Sequence, residues 1–263
     1  MSAFVYLADQ DDIFRTLDMD VDVGFSPGFS GTGFEPANLQ TSDITKLWRS
    51  SPMAGDPGGY IISIDLGVGV TWDFVAWINH DFPESATVEL KSGTTGSVLD
   101  HTDEIPWREF DMYFRAAAPR TDRYIQIRLQ NDDDFQVSAG RLLVGLATVS
   151  AVPPTYGWSI APVTKAADNR SAFNVKNVDV FCQYHQLRFP FMNKIGNAAA
   201  VTFMTFLKSL QGMKNWFFLI PDSTEYDGYA VRLMSQPRRI RSQRNDFDDV
   251  FVEEESRGVR IPA

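Results

Sequence analysis

The sequence is poor in residues that form covalent cross-links. Its 263 residues include one cysteine, Cys182, so an intrachain disulfide is excluded. Cys182 lies in the apolar run VDVFCQYH, where a small core residue is a better interpretation than a nucleophile. The absence of disulfides predicts folding in a reducing cytoplasm.

Long hydrophobic runs are also missing. No stretch reaches the roughly 18 apolar residues of a membrane-spanning helix. The first residues, MSAFVYLADQDDIF, lack the basic start and apolar stretch of a secretory signal. We therefore expect no membrane insertion.

Motifs that carry catalysis or hold a cofactor are absent. The three histidines, His80, His101 and His185, have no metal-ligand spacing, and no nucleophile elbow, phosphate loop or CxxC pair occurs. The glycines at 93–97 (GTTGS) predict a hairpin turn. Those at 67–70 (GVGV) precede no helix and so do not form a dinucleotide loop. The sequence predicts a protein that is not an enzyme and that needs no cofactor.

Charge is unevenly distributed. The net charge is -10. Residues 1–152 carry 10 basic and 23 acidic side chains, a net of -13, whereas residues 153–263 carry 14 and 11, a net of +3. This asymmetry favours two separate modules and argues against specific nucleic-acid binding by the first, because phosphate contacts need clustered cations.

Two acidic clusters are candidates for a Ca²⁺ site, since loop carboxylates can supply oxygen ligands. One contains Asp9, Asp11 and Asp12, and the other contains Asp132, Asp133 and Asp134. Neither matches the EF-hand loop, so solvated turn charges are the preferred interpretation and no metal is expected.

Aromatic residues, glycine and proline are plentiful, which favours sheets with many turns. Pro153 and Pro154 remove two backbone donors in succession, so no helix or central strand runs through them. We therefore predict two domains, 1–152 and 153–263, with an irregular N-terminal arm over 1–44.

The first domain is predicted to be all β. Short strands alternate with turn signals, and in YIQIRL (124–129) Ile125, Ile127 and Leu129 share one face. The predicted strands are Tyr60–Leu66, Phe74–Asn79, Ala86–Lys91, Tyr124–Leu129 and Gly140–Val144. This pattern indicates a jelly-roll β-sandwich.

The second domain is predicted to be α+β, with a small β-barrel and one helix. The helix is expected near Ala198–Gln211, where Asn197 can cap its start and Gly212 can end it. Four apolar residues follow helical spacing on one face: Phe203, Phe206, Leu207 and Leu210.

Opposite charges follow one another near the C-terminus. A nucleic-acid interpretation would require interleaved aromatics and a basic domain. We favour a subunit interface, in which arginines face carboxylates of the same or a neighbouring chain. The residues are Arg238, Arg239, Arg241, Arg244, Asp248, Asp249, Glu253, Glu254 and Glu255.

Residues 45–149 resemble the discoidin or galactose-binding-like domain of siphophage tail proteins. The resemblance rests on an ordered series of segments: LWRS (47–50), YIISIDLG (60–67), FVAWINHDFPESATVELKSG (74–93), RYIQIRLQNDDD (123–134) and GRLLVG (140–145). It implies an eight-stranded jelly roll in which loops at one end bind ligands in some members.

The second domain is similar to the barrel-plus-helix units of phage tail rings, on FMTFLKSLQG (203–212), NWFFLIPD (215–222) and DDVFVEEES (248–256). Together the resemblances imply a structural component of a bacteriophage tail tip or baseplate. They imply a homo-oligomeric ring, hexameric or trimeric, with other tail proteins as partners. The expected location is the virion tail, assembled in the host cytoplasm.

Two other functions remain open. A carbohydrate-binding adhesin would recognise host glycan through exposed aromatics of the jelly roll, for which Trp48, Trp72 and Trp107 are the candidates; the alternative is that they are core residues. A glycan-cleaving enzyme would need two paired carboxylates in a cleft, and the sequence singles out no such pair.

Overall fold

The computed structural model describes most of the N-terminal half and parts of the C-terminal half. The described residues are 5–8, 11–14, 23–26, 32–51, 60–108, 111–131, 136–149, 159–170, 176–193, 202, 205–207, 216–220, 229–233, 238–241 and 246–254. Contacts between Cα atoms divide the chain into two units. The jelly-roll unit is Leu7–Thr148, and the C-terminal unit is Met1–Tyr6 together with Val149–Ala263.

The chain is mainly β, as the sequence predicts. The described strands are β1 (Val5–Ala8), β2 (Val23–Ser26), β3 (Trp48–Arg49), β4 (Tyr60–Ile78), β5 (Thr87–Gly93), β6 (His101–Glu104), β7 (Met112–Gln130), β8 (Ser138–Ala139), β9 (Arg141–Gly145), β10 (Thr148–Val149), β11 (Ser159–Arg170), β12 (Lys176–Asn193), β13 (Trp216–Ile220), β14 (Tyr229–Leu233), β15 (Arg238–Arg241) and β16 (Asp246–Glu254). A short 3-10 helix covers Pro36–Gln40.

Two long strands, β4 and β7, run through both layers of the jelly-roll unit. They pair with each other, and the larger sheet has the order β2-β4-β7-β5-β6. The first part of β4 pairs with β2, and its last part, Phe74–Ile78, pairs with β9. The β4–β7 register shifts between Asp65 and Val70 and again between Trp72 and Phe74. Such irregularities bend a strand, so each strand crosses from one layer of the sandwich to the other.

The core follows the alternation predicted from the sequence. Ile125, Ile127 and Leu129 of β7 are buried, whereas the residues between them are half-buried. The last part of β4, FVAWI, is buried along its whole length. A continuous apolar run is what a strand covered on both faces requires.

The N-terminal arm is more regular than predicted. Strand β1 joins the sheet of the C-terminal unit, and β2 pairs with Ile61–Ile64 of β4. The prediction of an irregular arm over 1–44 is therefore wrong for these two segments. Four-residue strands have too few positions for a clear alternation, and the glycines and prolines beside β2 concealed it.

The C-terminal unit contains an antiparallel sheet in the order β10-β1-β13-β14-β16-β12-β11, with β15 paired to β16. Its longest ladder joins β11 to β12, with a shift between Lys165 and Ala166. In the described part of the chain this path does not close, so the small β-barrel stays a prediction.

The predicted helix is described at Thr202 and at residues 205–207, which are helical. Leu207 is buried, and the Phe206 ring lies 4.2 Å from that of Tyr6, between centroids. These two residues lie on the face that the sequence assigned to the core. Phe203 and Leu210 lie outside the described residues.

The division between the units falls between Thr148 and Val149. The predicted boundary at residues 152–153 lies in a stretch outside the described residues and stays a prediction. Within the part of the chain that is described, no helix combines the length and the hydropathy needed to cross a membrane.

Candidate functional site

Two of the three candidate tryptophans are core residues. Trp48 is 1% exposed and Trp72 is 0% exposed. The Trp48 ring stacks on that of Trp77, with 6.2 Å between centroids. A ring enclosed in this way has no face to offer a ligand, so the assignment of Trp48 and Trp72 to carbohydrate binding is wrong. These large flat side chains fill the space between the layers instead.

Trp107 differs from these two. It is partly buried and packs against the hydrophobic core from the loop that joins β6 to β7. Its indole Nε1 donates to the carbonyl oxygen of Phe82 at 3.0 Å. The hydrogen bond fixes the ring, and part of its surface stays exposed.

The loop that carries Trp107 joins two strand edges. β6 ends the larger sheet. Met112–Arg120, the first part of β7, pairs with β4, and among the described residues it has no strand on its other side. We call the region where these edges meet the seam. We define it by Asp103, Phe114 and Arg120, together with Trp107 on the connecting loop.

An ion pair spans the seam. Nη1 of Arg120 on β7 lies 2.5 Å from Oδ2 of Asp103 on β6. The side chains are 16% and 24% exposed, respectively. Their contact places the two edges side by side, although β5 separates β6 from β7 within the sheet.

Aromatic rings hold the guanidinium of Arg120. Its Cζ lies 5.4 Å from the centroid of Phe114 and 5.8 Å from that of Trp72. Phe114 is partly buried and packs on the core, as Trp107 does. Arginine is attracted to aromatic faces through its charge and its planar surface. The guanidinium is thus oriented before any ligand arrives.

The ion pair leaves hydrogen-bonding capacity unused. Among the described residues, Nε and Nη2 of Arg120 and Oδ1 of Asp103 have no hydrogen-bond partner. A guanidinium carries five N–H donors, and a carboxylate accepts at both oxygens. A ligand at the seam would therefore meet donors and an acceptor beside the partly exposed ring of Phe114.

The residue after Trp107 points elsewhere. Arg108 lies over the ring of Tyr113 at 3.9 Å and donates from Nη1 to the Tyr113 carbonyl oxygen at 3.1 Å. Tyr113 and Phe114 are consecutive in β7, so their side chains lie on opposite faces. Arg108 consequently does not belong to the seam.

A second ion pair stabilises the bend in β4. Arg123 donates from Nε and Nη2 to the two carboxylate oxygens of Asp65, at 2.7 and 2.8 Å. Asp65 also accepts from the backbone of Gly67, whose φ is 76°. Hydrogen bonding by Arg123 is the main reason that the pKa of Asp65 is lowered. Because Arg123 already bonds both carboxylate oxygens of Asp65, we assign this pair a structural role in holding the bend of β4.

The histidines and acidic clusters form no metal site in the part of the chain that is described. His80 is buried, and its Nδ1 accepts from the Phe82 backbone at 3.2 Å. Asp12 pairs with the buried Arg141. Asp9 and residues 132–134 lie outside the described part.

The charged strands of the C-terminal unit pair with each other. In the β15–β16 ladder Arg238 lies opposite Asp249, Arg239 opposite Asp248, and Arg241 opposite Asp246. Glu253 of β16 lies opposite both Gln186 and Arg232. The backbone register thus places residues of opposite charge across from one another within one chain. The role of these residues in a subunit interface stays a prediction. Arg244 and Glu255 lie outside the described residues.

Sequence reasoning found Trp107 but missed Asp103, Phe114 and Arg120. Asp103, Ile105 and Trp107 alternate, which was a signal that they share a side. Arg120 stands 17 residues from Asp103 in the sequence. No local sequence pattern predicts that these two side chains meet, because their contact depends on how β7 bends between the layers.

No protein-family model matches the chain, and no curated protein matches it. Several solved structures are similar to about half of it. One is a chitosan-binding module from a chitosanase/glucanase of Paenibacillus sp. IK-5, with 16% identity, a TM-score of 0.39 and coverage of 51% of this chain and 97% of that one. Another is a module of a family 31 glycoside hydrolase from Clostridium perfringens, with 14% identity, a TM-score of 0.38 and coverage of 51% and 99%.

A third similar structure is a fucosidase from Ruminococcus gnavus in complex with fucose. It has 20% identity and a TM-score of 0.38, and the match covers 53% of this chain and 27% of that one. The jelly-roll β-sandwich described above stands on the strand order and register of this chain itself.

Proposed function

We propose that this protein is a non-enzymatic recognition protein whose jelly-roll unit binds carbohydrate through the seam. The observation that carries the proposal is the Asp103–Arg120 ion pair, which lies beside the partly exposed ring of Phe114. Trp107, on the loop that follows β6, is a second partly exposed aromatic.

Carbohydrates need both kinds of surface. A sugar ring has C–H faces that pack on aromatic side chains and a rim of hydroxyl groups that need hydrogen-bond partners. Binding pockets typically combine apolar walls with a few fixed polar groups. Phe114 and Trp107 supply the first, while Asp103 and Arg120 supply the second.

The dimensions of the seam favour an oligosaccharide. Asp103 and Trp107 are four residues apart, a span of at most roughly 14 Å. A ligand that contacts both the ion pair and the indole would span up to this distance, which a short chain of sugar rings can do.

The test is binding of the purified full chain to a panel of immobilised bacterial polysaccharides and oligosaccharides. Trp107→Ala should lose binding to every glycan that the unaltered chain retains, because the indole platform is removed. Far-ultraviolet circular dichroism should change little, and the thermal midpoint should fall but stay well above the assay temperature, since the indole also packs on the core.

The matched control is Phe34→Ala. Phe34 is also half-buried, and its ring centroid lies 4.1 Å from the guanidinium carbon of Arg49. Arg49 is in β3, which pairs with β8. That aromatic contacts Arg49 rather than a residue of the seam, so glycan binding should persist. If the unaltered chain retains no glycan, or if both variants lose binding equally, the proposal is wrong.

A structural role in a phage tail tip or baseplate is the second candidate. Besides the resemblance of residues 45–149, it is favoured by the β11–β12 ladder. Lys176–His185 of β12 pairs with β11, and within the described residues neither strand has a further partner there. Open strand edges are available to a neighbouring subunit.

This second candidate predicts a ring of six or three copies that associates with other tail proteins in the virion. Mass photometry of the purified chain joined to negative-stain images would test it. A monomer at micromolar concentration, with no ring in the images, would count against it.

A further inference from the structure

We infer that the seam selects neutral saccharides with two adjacent free hydroxyl groups, and that Asp103 and Arg120 set this selectivity. The inference rests on the proposed carbohydrate-binding function and goes one step further, to the class of ligand.

The pairing geometry supports the hydroxyl requirement. Asp103 uses Oδ2 for Arg120, and Arg120 uses Nη1 for Asp103. Among the residues described, this leaves Oδ1 as a free acceptor next to the free donors Nε and Nη2. A hydroxyl group is both a donor and an acceptor. One hydroxyl can donate to Oδ1 while its neighbour accepts from the guanidinium.

The ion pair also disfavours acidic sugars. The charge of Arg120 is already compensated by Asp103 at 2.5 Å. A uronate would have to displace Asp103 or lie beside it, and like charges at short range repel. The chain adds to this effect, because its net charge is -10. A neutral ligand meets no such penalty.

Preorganisation supports direct contact by Arg120. Its side chain is 16% exposed and lies near two aromatic rings. A side chain that is already ordered loses less conformational entropy when a ligand binds. Lysine at this position would keep the charge but lose the planar fork that presents several donors in one plane.

The test compares two ligands of equal length, a neutral oligosaccharide from the panel and its uronic-acid counterpart. The unaltered chain should bind the neutral ligand at least tenfold more tightly. Asp103→Asn should reduce that ratio at least tenfold, because it removes the charge that excludes the uronate. Arg120→Lys should weaken neutral binding at least tenfold.

Glu104→Gln is the matched control. Glu104 follows Asp103 in β6 and is exposed, so the substitution removes an equal charge from the other side of the strand. The ratio of its affinities for the neutral ligand and the uronate should stay within twofold of the ratio for the unaltered chain. An equal shift in both variants would show a long-range charge effect and would overturn the assignment.

The outcomes separate this inference from the function on which it rests. If Trp107→Ala abolishes binding but Asp103→Asn leaves the ratio unchanged, the seam binds carbohydrate and the selectivity assignment is wrong. If the unaltered chain prefers the uronate, the inference fails in the same way. If it binds neither ligand, both proposals fail. Should Asp103→Asn not fold, Asp103→Ser provides the same charge change for the comparison.

Discussion

At the residue scale, the most demanding interaction is a fully buried ion pair. Asp12 and Arg141 have side chains that are 0% exposed. Asp12 accepts from Arg141 Nη2 at 2.5 Å, from the Phe14 backbone at 3.0 Å and from the Val144 backbone at 2.8 Å. The pair attaches the segment around Phe14 to β9. We assign the pair a structural role. Removing one member would leave the other charged, buried and without its partner, which destabilises a fold.

Asp12→Ala should therefore destabilise the protein strongly. We expect a loss of about 3–5 kcal/mol in urea unfolding of the jelly-roll unit. The double variant Asp12→Ala/Arg141→Met should recover a substantial part of the lost free energy of unfolding, since no unpaired charge remains. A loss below about 1 kcal/mol for the single variant would show that water reaches Arg141.

Asp65 links stability to pH. Its pKa is lowered in the folded chain, mainly by hydrogen bonds from Arg123. A lowered folded pKa means that stabilisation is complete above the unfolded value, near 3.9, and is lost as pH falls through the folded value. Arg123 is 42% exposed, so solvent screening limits the contribution to about 0–1 kcal/mol.

The pH dependence can be measured with Asp65→Asn. The variant should be less stable than the unaltered chain at neutral pH, and the difference should vanish as the pH falls well below 4. Denaturant unfolding at several pH values gives this comparison. A difference that stays constant from neutral to strongly acidic pH would exclude Asp65 as the group responsible.

At the element scale, the sequence predicted strand positions better than strand relations. Period-two alternation located the strands that contain Ile64 and Ile127, and the apolar run FVAWI located a strand buried on both faces. Alternation reports which way a side chain points relative to its own strand. It does not report that β4 and β7 bend across two layers, because that depends on register shifts.

The candidate site shows the same limit. Trp107 was predictable as a loop aromatic, but Trp48 and Trp72 looked equally suitable until their burial was known. Composition does not distinguish an enclosed indole from an accessible one. The ion pair of Asp103 with Arg120 follows from tertiary geometry alone.

The β15–β16 ladder gives a prediction at this scale. Arg239 lies opposite Asp248, and oppositely charged cross-strand pairs contribute roughly 0.2–1 kcal/mol. Arg239→Glu should lower the thermal midpoint of the C-terminal unit, and the exchange Arg239→Asp/Asp248→Arg should restore it.

Size-exclusion chromatography of the same variants addresses the subunit interface. If Arg239→Glu leaves the thermal midpoint unchanged but alters the oligomeric state, the arginine acts between chains. The intrachain interpretation of the ladder would then be wrong.

At the scale of the whole molecule, the chain does not divide at one point. Val5 and Tyr6 belong with the C-terminal unit, although the segment that follows belongs to the jelly-roll unit. Strand β1 lies between β10 and β13 in the sheet of the C-terminal unit. The start of the chain therefore completes a sheet that is otherwise built from its second half.

Deletion of residues 1–8 should consequently destabilise the C-terminal unit. Hydrogen exchange should accelerate in β13, which loses its neighbour, and should stay slow in β5 of the jelly-roll unit. Increased exchange confined to β5, or no change in β13, would contradict the strand order described here.

We propose that the jelly-roll unit binds carbohydrate at Trp107. The most direct measurement is nuclear magnetic resonance of the indole N–H groups of the six tryptophans during titration with the retained saccharide. Substitution of Trp107 by phenylalanine assigns its signal by the disappearance of one peak. The Trp107 signal should shift in a saturable way while the signals of the enclosed Trp48 and Trp77 move little. A titration that saturates without moving the Trp107 signal would contradict the proposal.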